Sequence, residues 1–437
     1  MVKPDGGQRE SDGAIVLVTT GRNPVVGKGP DFGHAGTRGK REGMAGTAQP
    51  NYPDGHMPAV KVRQLQNRLW AAAKQSRERR FHALYDRVHR SDVLWEAWER
   101  VRANRGAAGV DAMTLSAVEA YGAERMLAEL QQALCTGNYH PAPVRRVHIP
   151  KPDGSSRPLG MPTVVDRVCQ QAAKIVLEPI FEADFLPASF GFRPKRSATD
   201  AMEKLRVGFT QGDCFVFEAD IKDFFGSIDH EELLCLVGER VSDRRVLKLL
   251  RQWLGAGVLA AGVLSETVAG TPQGGVISPL LANIYLHAFD RAWADRGVGE
   301  LVRYADDFVV ACRSQAEAEQ AHKLASELMG GLGLALHPDK TRVVDLREGR
   351  AGFDFLGCHF CARMSGKVWE QRHVVRYYLH RWPSLRSMKR ARARVKALTG
   401  RSQVGMELQE VIERLNLFLR GWGNYFRMGT VRCPKAA

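Results

Sequence analysis

The chain has 437 residues, 44% of them hydrophobic and 25% charged, with a net charge of +15 and a pI near 9.6. That length exceeds one hydrophobic core, so two or three domains are expected. No run of about 18 apolar residues exists to cross a membrane, and Asp5, Glu10 and Asp12 around a short apolar run at 14–18 are not the basic opening of a secretory signal. Eight scattered cysteines make no disulfide framework, so a soluble protein of a reducing, cytoplasmic compartment is expected, with nucleic acid as its leading partner.

Residues 1–60 are rich in Gly, Thr and Pro without apolar periodicity and read as a disordered or loosely held tail. From Lys61 the pattern turns helical: Val62, Leu65, Leu69, Trp70 and Ala73, then Leu84, Val88, Val93, Trp95, Trp98 and Val101, and a third helix over 114–134. An extended segment at 144–149 leads into Lys151-Pro152-Asp153-Gly154-Ser155-Ser156, a tight hairpin turn. The spacing predicts helices at 164–181 and 198–209, a strand at 214–221, helices at 229–241 and 244–254, and a hairpin at 258–268. A helix at 278–293 is opened by Ser278 as N-cap and Pro279 at the first position. Two short strands lie within 301–311, then a helix at 314–329, a strand at 353–360, and helices at 374–398 and 406–418. Mixed strands and helices followed by helices alone read as α+β with a helical domain after it.

The charge is uneven. Residues 361–437 hold 17 Lys or Arg against four acids, Glu370, Glu407, Glu410 and Glu413. A solvated helix face is the bland explanation. Interleaved Trp369, Tyr377, Tyr378, Trp382, Trp422, Tyr425 and Phe426 favour nucleic-acid contact, because aromatics stack on bases while cations pair with phosphates.

Tyr304-Ala305-Asp306-Asp307 places two acids between apolar strands. An isolated pair of this kind is more often a polar hairpin tip. A second apolar strand, 214–221, ends near Asp220. If the two neighbour each other, Asp220 and Asp306 meet on one sheet edge, where hard oxygen ligands suit Mg²⁺ bound to substrate phosphates. Two such ions would activate a 3′-hydroxyl and stabilise a leaving pyrophosphate. Glu218 shares the face of Asp220 as a supporting acid, while Asp223 and Asp229 read as helix-start or surface residues.

These residues sit within longer blocks. The chain resembles the reverse transcriptases encoded by bacterial group II introns, the maturases, in YADD at 304–307, DIKDFFGSIDH at 220–230 and GTPQGGVISPLLANIYL at 270–286. It is similar to them also in the finger blocks at 147–172 and 189–201, in LHPDKT at 336–341, in FDFLG at 353–357, and in the maturase block LNLFLRGWGNYF at 415–426. The resemblance implies a right-hand polymerase. A helical extension would span 61–135, fingers and palm with an antiparallel sheet 136–362, a basic α-helical thumb or maturase domain 363–430, and a short tail 431–437. It implies Mg²⁺-dependent reverse transcription of intron RNA, with help to splicing and mobility. The partners would be group II intron RNA, an RNA template with a DNA primer, and dNTPs.

By the same resemblance Asp220, Asp306 and Asp307 are the metal carboxylates, with Ile221 at the same metal site. Phe225 would pack under the sugar, with a plain core Phe as its alternative, Gln273 and Gly274 would lie by the incoming nucleotide, and Lys151 and Arg157 would hold the triphosphate, with general RNA contact as their alternative. Lys340 would donate a proton to pyrophosphate, with a plain structural cation as its alternative. Arg193, Lys195 and Arg196 would grip the template backbone, and Arg420, Trp422 and Tyr425 would contact RNA. Gly226 stands where similar sequences often carry an acid, and Cys358 and Cys361 lack the second pair a zinc site needs. Only nine residues follow Met428, so no zinc-binding nuclease segment is expected, and recognition of a DNA target stays open. Two further readings stay open: an RNA-binding splicing cofactor with a vestigial polymerase site, and a reverse transcriptase of a retron, diversity-generating or CRISPR-associated system.

Overall fold

The computed structural model describes residues 58–150, 156–260, 263–265, 270 and 274–427. Of the expected tail at 1–60, the described part (58–60) belongs to the first helix; the tail at 431–437 and the turn at 151–155 lie outside the described residues. Five helices come first: α1 (Pro58–Gln75), α2 (Tyr85–Val88), α3 (Ser91–Ala103), α4 (Leu115–Tyr121) and α5 (Ala123–Thr136). On α1, Val62, Leu65, Leu69 and Ala73 recur three or four residues apart and are buried. The expected single helix at 114–134 is two helices, because Gly122 takes φ +102 and ends one before the next begins.

Strands β1 (Val144–Pro150) and β2 (Ser156–Met161) pair antiparallel ahead of α6 (Val164–Glu182). Thr163 caps α6 by accepting from the Asp166 N–H, and the helix is buried along most of its length. Then follow α7 (Ala198–Thr210), β3 (Phe215–Asp220), the single turn α8 (Phe224–Ser227), α9 (His230–Gly238) and α10 (Arg244–Leu254). The expected hairpin near 258–268 is present as β4 (Val258–Ala260) and β5 (Val263–Ser265), which join β1 and β2 in one sheet. Helix α11 (Ser278–Arg296) starts at the expected residue, but Ile277 rather than Ser278 holds the cap position and Ser278 is already helical. Strands β6 (Glu300–Tyr304) and β7 (Asp307–Cys312), α12 (Gln315–Gly331) and β8 (Arg342–Asp345) complete the central region.

The central sheet runs β6-β7-β3-β8, antiparallel throughout. Both its faces are covered. Phe217, Ala219, Phe308 and Val310 pack into a large helical core, while Val216, Val302, Val309 and Val344 face a second core closed by Phe353, Phe355 and Phe360. The period of two sends alternate side chains to these two cores.

The second core is roofed by a small sheet that departs from expectation twice. The expected strand at 353–360 is a hairpin, β9 (Gly352–Phe355) and β10 (Cys358–Met364), because Leu356 (φ +49) and Gly357 (φ +75) turn the chain. Cys358 points into the core and Cys361 to the opposite side, so the two do not form half of a zinc site. After α13 (Gly366–Arg372), the expected helix at 374–398 opens instead with a strand, β11 (Tyr377–Pro383), paired along the whole of β10. Val374, Val375, Tyr377 and Tyr378 favour extended backbone, and Pro383 would break a helix there. The helix begins only after Ser384, as α14 (Leu385–Thr399), and α15 (Leu408–Phe426) packs against it. No helix among the described residues is long and apolar enough to cross a membrane.

Candidate active site

Asp220 ends β3 and Asp307 begins β7, and the two are direct partners in the antiparallel ladder. Directly opposed residues project to the same face with Cβ atoms about 5 Å apart. Asp306 is the second residue of the two-residue turn whose ends are Tyr304 and Asp307. The three carboxylates therefore gather at one end of the sheet, with Asp307 buried and Asp220 and Asp306 partly open. Among the described residues no group of three or more His, Cys, Asp or Glu is arranged so as to hold a metal ion by itself. An ion held by one or two carboxylates, with water and substrate phosphate completing its shell, needs none, so the donor set fits Mg²⁺. Ile221 follows directly, its side chain in the core and its backbone bridged to Leu336.

Lys340 ends the short turn Pro338–Lys340 and places Nζ 3.0 Å from Asp220 Oδ2. The backbone zips the same region, with the His337 N–H donating to the Asp220 carbonyl and the Lys222 N–H to Ala335. Glu218 is not an auxiliary ligand. It is fully buried, and Arg342 on the neighbouring strand donates to it from Nε at 2.6 Å. Asp229 caps α9, as expected, and Asp223 precedes α8 in a left-handed conformation.

Phe224 is the core residue of its pair, while Phe225 is half-buried and meets Phe224 edge-on. A Cβ on Gly226 would meet the carboxylate of exposed Asp223, which would have to swing aside. Gly274 has φ +112 and lies so close to β2 that a Cβ would come within 2.6 Å of the Gly160 carbonyl oxygen. Gln170 on α6 accepts from the Val276 N–H at 2.9 Å and steadies that loop. Lys151 and Gln273 lie outside the described residues; the backbone of Arg157 pairs with Ile149 in the β1–β2 hairpin.

One expected RNA contact, Arg193, is corrected, and a second, Tyr425, is also engaged within the fold. Arg193 is buried, bound to Glu182 at 2.7 Å and donating to the carbonyls of Leu186 and Ser189, so its charge serves the fold. Tyr425 donates its hydroxyl to the Leu356 carbonyl at 2.8 Å and ties α15 to the β9–β10 turn; burial pushes its phenol well above the usual range. Trp422 is half-buried against Phe426. Arg196 stacks over Phe190, whereas Lys195 and Arg420 stand exposed. Sequence reasoning missed Arg303, a cation in the middle of an apolar strand and wholly buried; that anomaly in Leu301-Val302-Arg303-Tyr304 was the available signal.

Opposed acids at the end of an antiparallel sheet, in a strongly basic chain, suit metal-dependent chemistry on nucleic acid, and the comparisons give the class as RNA-dependent DNA polymerase. The sequence profile described as reverse transcriptase (RNA-dependent DNA polymerase) matches residues 149–360, and that of the group II intron maturase-specific domain matches 388–433. Protein YkfC of Escherichia coli (strain K12) is 33% identical over 361 residues, covering 72% of this chain and 91% of that protein. The group II intron-encoded protein LtrA of Lactococcus lactis subsp. cremoris is 39% identical over 212 residues, 48% of this chain and 35% of LtrA. A solved Cas6-RT-Cas1–Cas2 complex chain is 26% identical, with 57% of this chain and 41% of that chain covered, at a TM-score of 0.35, too slight a likeness to weigh. The chain belongs to the group II intron reverse transcriptase and maturase family.

Proposed function

We propose that the chain copies RNA into DNA at the carboxylate end of its central sheet and grips group II intron RNA with its C-terminal helices, assisting splicing and mobility. The observation that carries this reading is the pairing of Asp220 with Asp307, with Asp306 beside them. Two Mg²⁺ ions, when bound, supply activation of the primer 3′-hydroxyl and neutralisation of the departing pyrophosphate. Asp220, Asp306 and Asp307 are the residues that would hold them, with the Ile221 backbone alongside. Half-buried Phe225 would close the pocket under the sugar. Gln273, Gly274, Lys151 and Arg157 would flank the incoming dNTP, and Lys340 would deliver a proton to the leaving group.

In this reading residues 61–135 form the RNA-holding extension, 136–362 the fingers and palm, and 363–430 the thumb. Helix α14 supports the last assignment: it carries Arg386, Lys389, Arg390, Arg392, Arg394 and Lys396 and no acid. Such a face reads backbone and shape rather than sequence, so binding should weaken steeply with salt. The test is primer extension on an RNA template with Mg²⁺. The double variant Asp306→Ala, Asp307→Ala abolishes extension while intron splicing persists; extension that survives it refutes the site.

A further inference from the structure

We propose that Arg303, Asp290 and Asn283 form a buried positioning device that holds the carboxylate hairpin in register against Asp220. This rests on the polymerase reading above. Arg303 and Asp290 are each fully buried, and their ion pair is bidentate, with Nε 2.8 Å from one carboxylate oxygen and Nη2 2.5 Å from the other. The remaining donors are aimed at the hairpin and its neighbours. Nη1 donates to the Ala305 carbonyl at 2.8 Å and to Asn283 Oδ1 at 3.2 Å, and Nη2 also donates to Ser189 Oγ at 2.9 Å.

Ala305 needs holding. It sits at φ +58, a left-handed conformation that a side-chain-bearing residue rarely adopts, immediately before the two catalytic acids. A loop presses on it from outside. The Phe190 N–H donates to the Arg303 carbonyl and the Arg303 N–H to Ala188, both at 2.8 Å, so residues 188–190 run along β6. Gly191 follows, and a Cβ there would collide with the Ala305 backbone. Asn283 Nδ2 donates to the Gly191 carbonyl at 2.8 Å and locks that loop to α11. The guanidinium is thus the hub at which α11, the 188–191 loop and the hairpin meet.

Stability alone does not account for such a hub, since a buried ion pair is often replaceable by apolar residues of similar volume at no cost. Those residues would not supply a donor to Ala305. Register at the hairpin end is what an arginine fork adds, and a shift of about 1 Å at reacting groups costs about 100-fold in rate.

The test replaces the pair with an apolar one, Arg303→Met with Asp290→Leu, and uses Asn283→Ala as a milder second variant. Thermal melting and template–primer affinity report folding and binding. Steady-state extension gives kcat and KM for dNTP, and Mn²⁺ titration followed by electron paramagnetic resonance reads the carboxylates without catalysis. The expected result for the folded double variant is template–primer affinity and KM near wild type, kcat lower by about 100-fold, and Mn²⁺ affinity weakened about tenfold. A folded double variant with wild-type kcat and Mn²⁺ affinity overturns the proposal. Should the double variant fail to fold, Asn283→Ala decides: about tenfold lower kcat supports positioning, and an unchanged rate refutes it. A wild-type protein that neither binds Mn²⁺ nor extends a primer sinks the polymerase reading itself, a result distinct from any of these.

Discussion

Replacing Lys340 with methionine asks whether Asp220 is a cation site. The ammonium lies 3.0 Å from the carboxylate, with about a fifth of each side chain exposed. At an effective dielectric of about 20, the gross attraction at that distance is roughly 5 kcal/mol. Desolvation of both ions returns much of it, leaving a net of about 1–2 kcal/mol. A divalent ion binding at Asp220 must displace or share that ammonium. In Lys340→Met the competitor is gone, and each 1.4 kcal/mol is a factor of ten, so Mn²⁺ affinity should tighten about 5- to 30-fold. Without divalent ions the variant should melt earlier, because Asp220 is left uncompensated beside Asp307, and saturating Mg²⁺ should recover the difference. Primer extension should move the other way: loss of a proton donor to pyrophosphate lowers the single-turnover rate by about 100-fold or more. Lys340→Arg keeps the charge and should leave metal affinity near wild type. Mn²⁺ titration of the three proteins measures this, and an unchanged or weaker affinity in Lys340→Met refutes the placement of a metal at Asp220.

The two neighbouring cations Arg193 and Lys195 should behave oppositely. Arg193→Ala breaks a buried pair with Glu182 and should destabilise the fold by about 3–5 kcal/mol in urea melts. Lys195→Ala should leave stability unchanged and reduce the slope of log affinity for RNA against log salt by about one contact, or 0.7–0.9. Tyr425→Phe removes one hydrogen bond to Leu356, worth about 1 kcal/mol. Because burial raises the folded phenol above its unfolded value near 10, its contribution is full below about pH 10 and lost as pH rises through that region. A pH series of melting temperatures should therefore fall less steeply above pH 10 in Tyr425→Phe. Gly226→Asp sets a second carboxylate against that of Asp223 and should cut extension; adding Asp223→Gly should restore part of it, a coupling of about 0.5–3 kcal/mol read from the four-protein cycle, and no coupling would refute an interaction between the two positions.

The convergence of Asp220 with the 306–307 pair was legible, because both acids close apolar runs whose length and composition read as strands. The register that sets Asp220 against Asp307 rather than Asp306 was not. It depends on the turn, and the turn depends on Ala305 adopting a left-handed conformation that nothing in its own residue type suggests. The same gap hid the β9–β10 hairpin, where Leu356 occupies a position usually left to glycine or asparagine. At 377–383 the pattern misled for another reason. A cation-rich stretch with hydrophobic residues between reads as an amphipathic helix, while the strand exists because β10 offers it a paired edge.

Charge was legible as a total and illegible as a distribution over inside and outside. Arg193, Arg240 and Arg303 are spent on Glu182, Asp184 and Asp290, each with its side chain nearly or wholly enclosed. Paired and buried, they add almost nothing to the field an approaching RNA meets. Lys389, Arg390, Arg392, Arg394 and Lys396 stand exposed on one helix with no acid among them. A strong positive field at short range is therefore expected beside α14. It follows that neutralising α14 should lower RNA affinity and flatten its salt dependence, while the carboxylate end of the sheet, built from acids and held by enclosed Arg303, keeps its geometry.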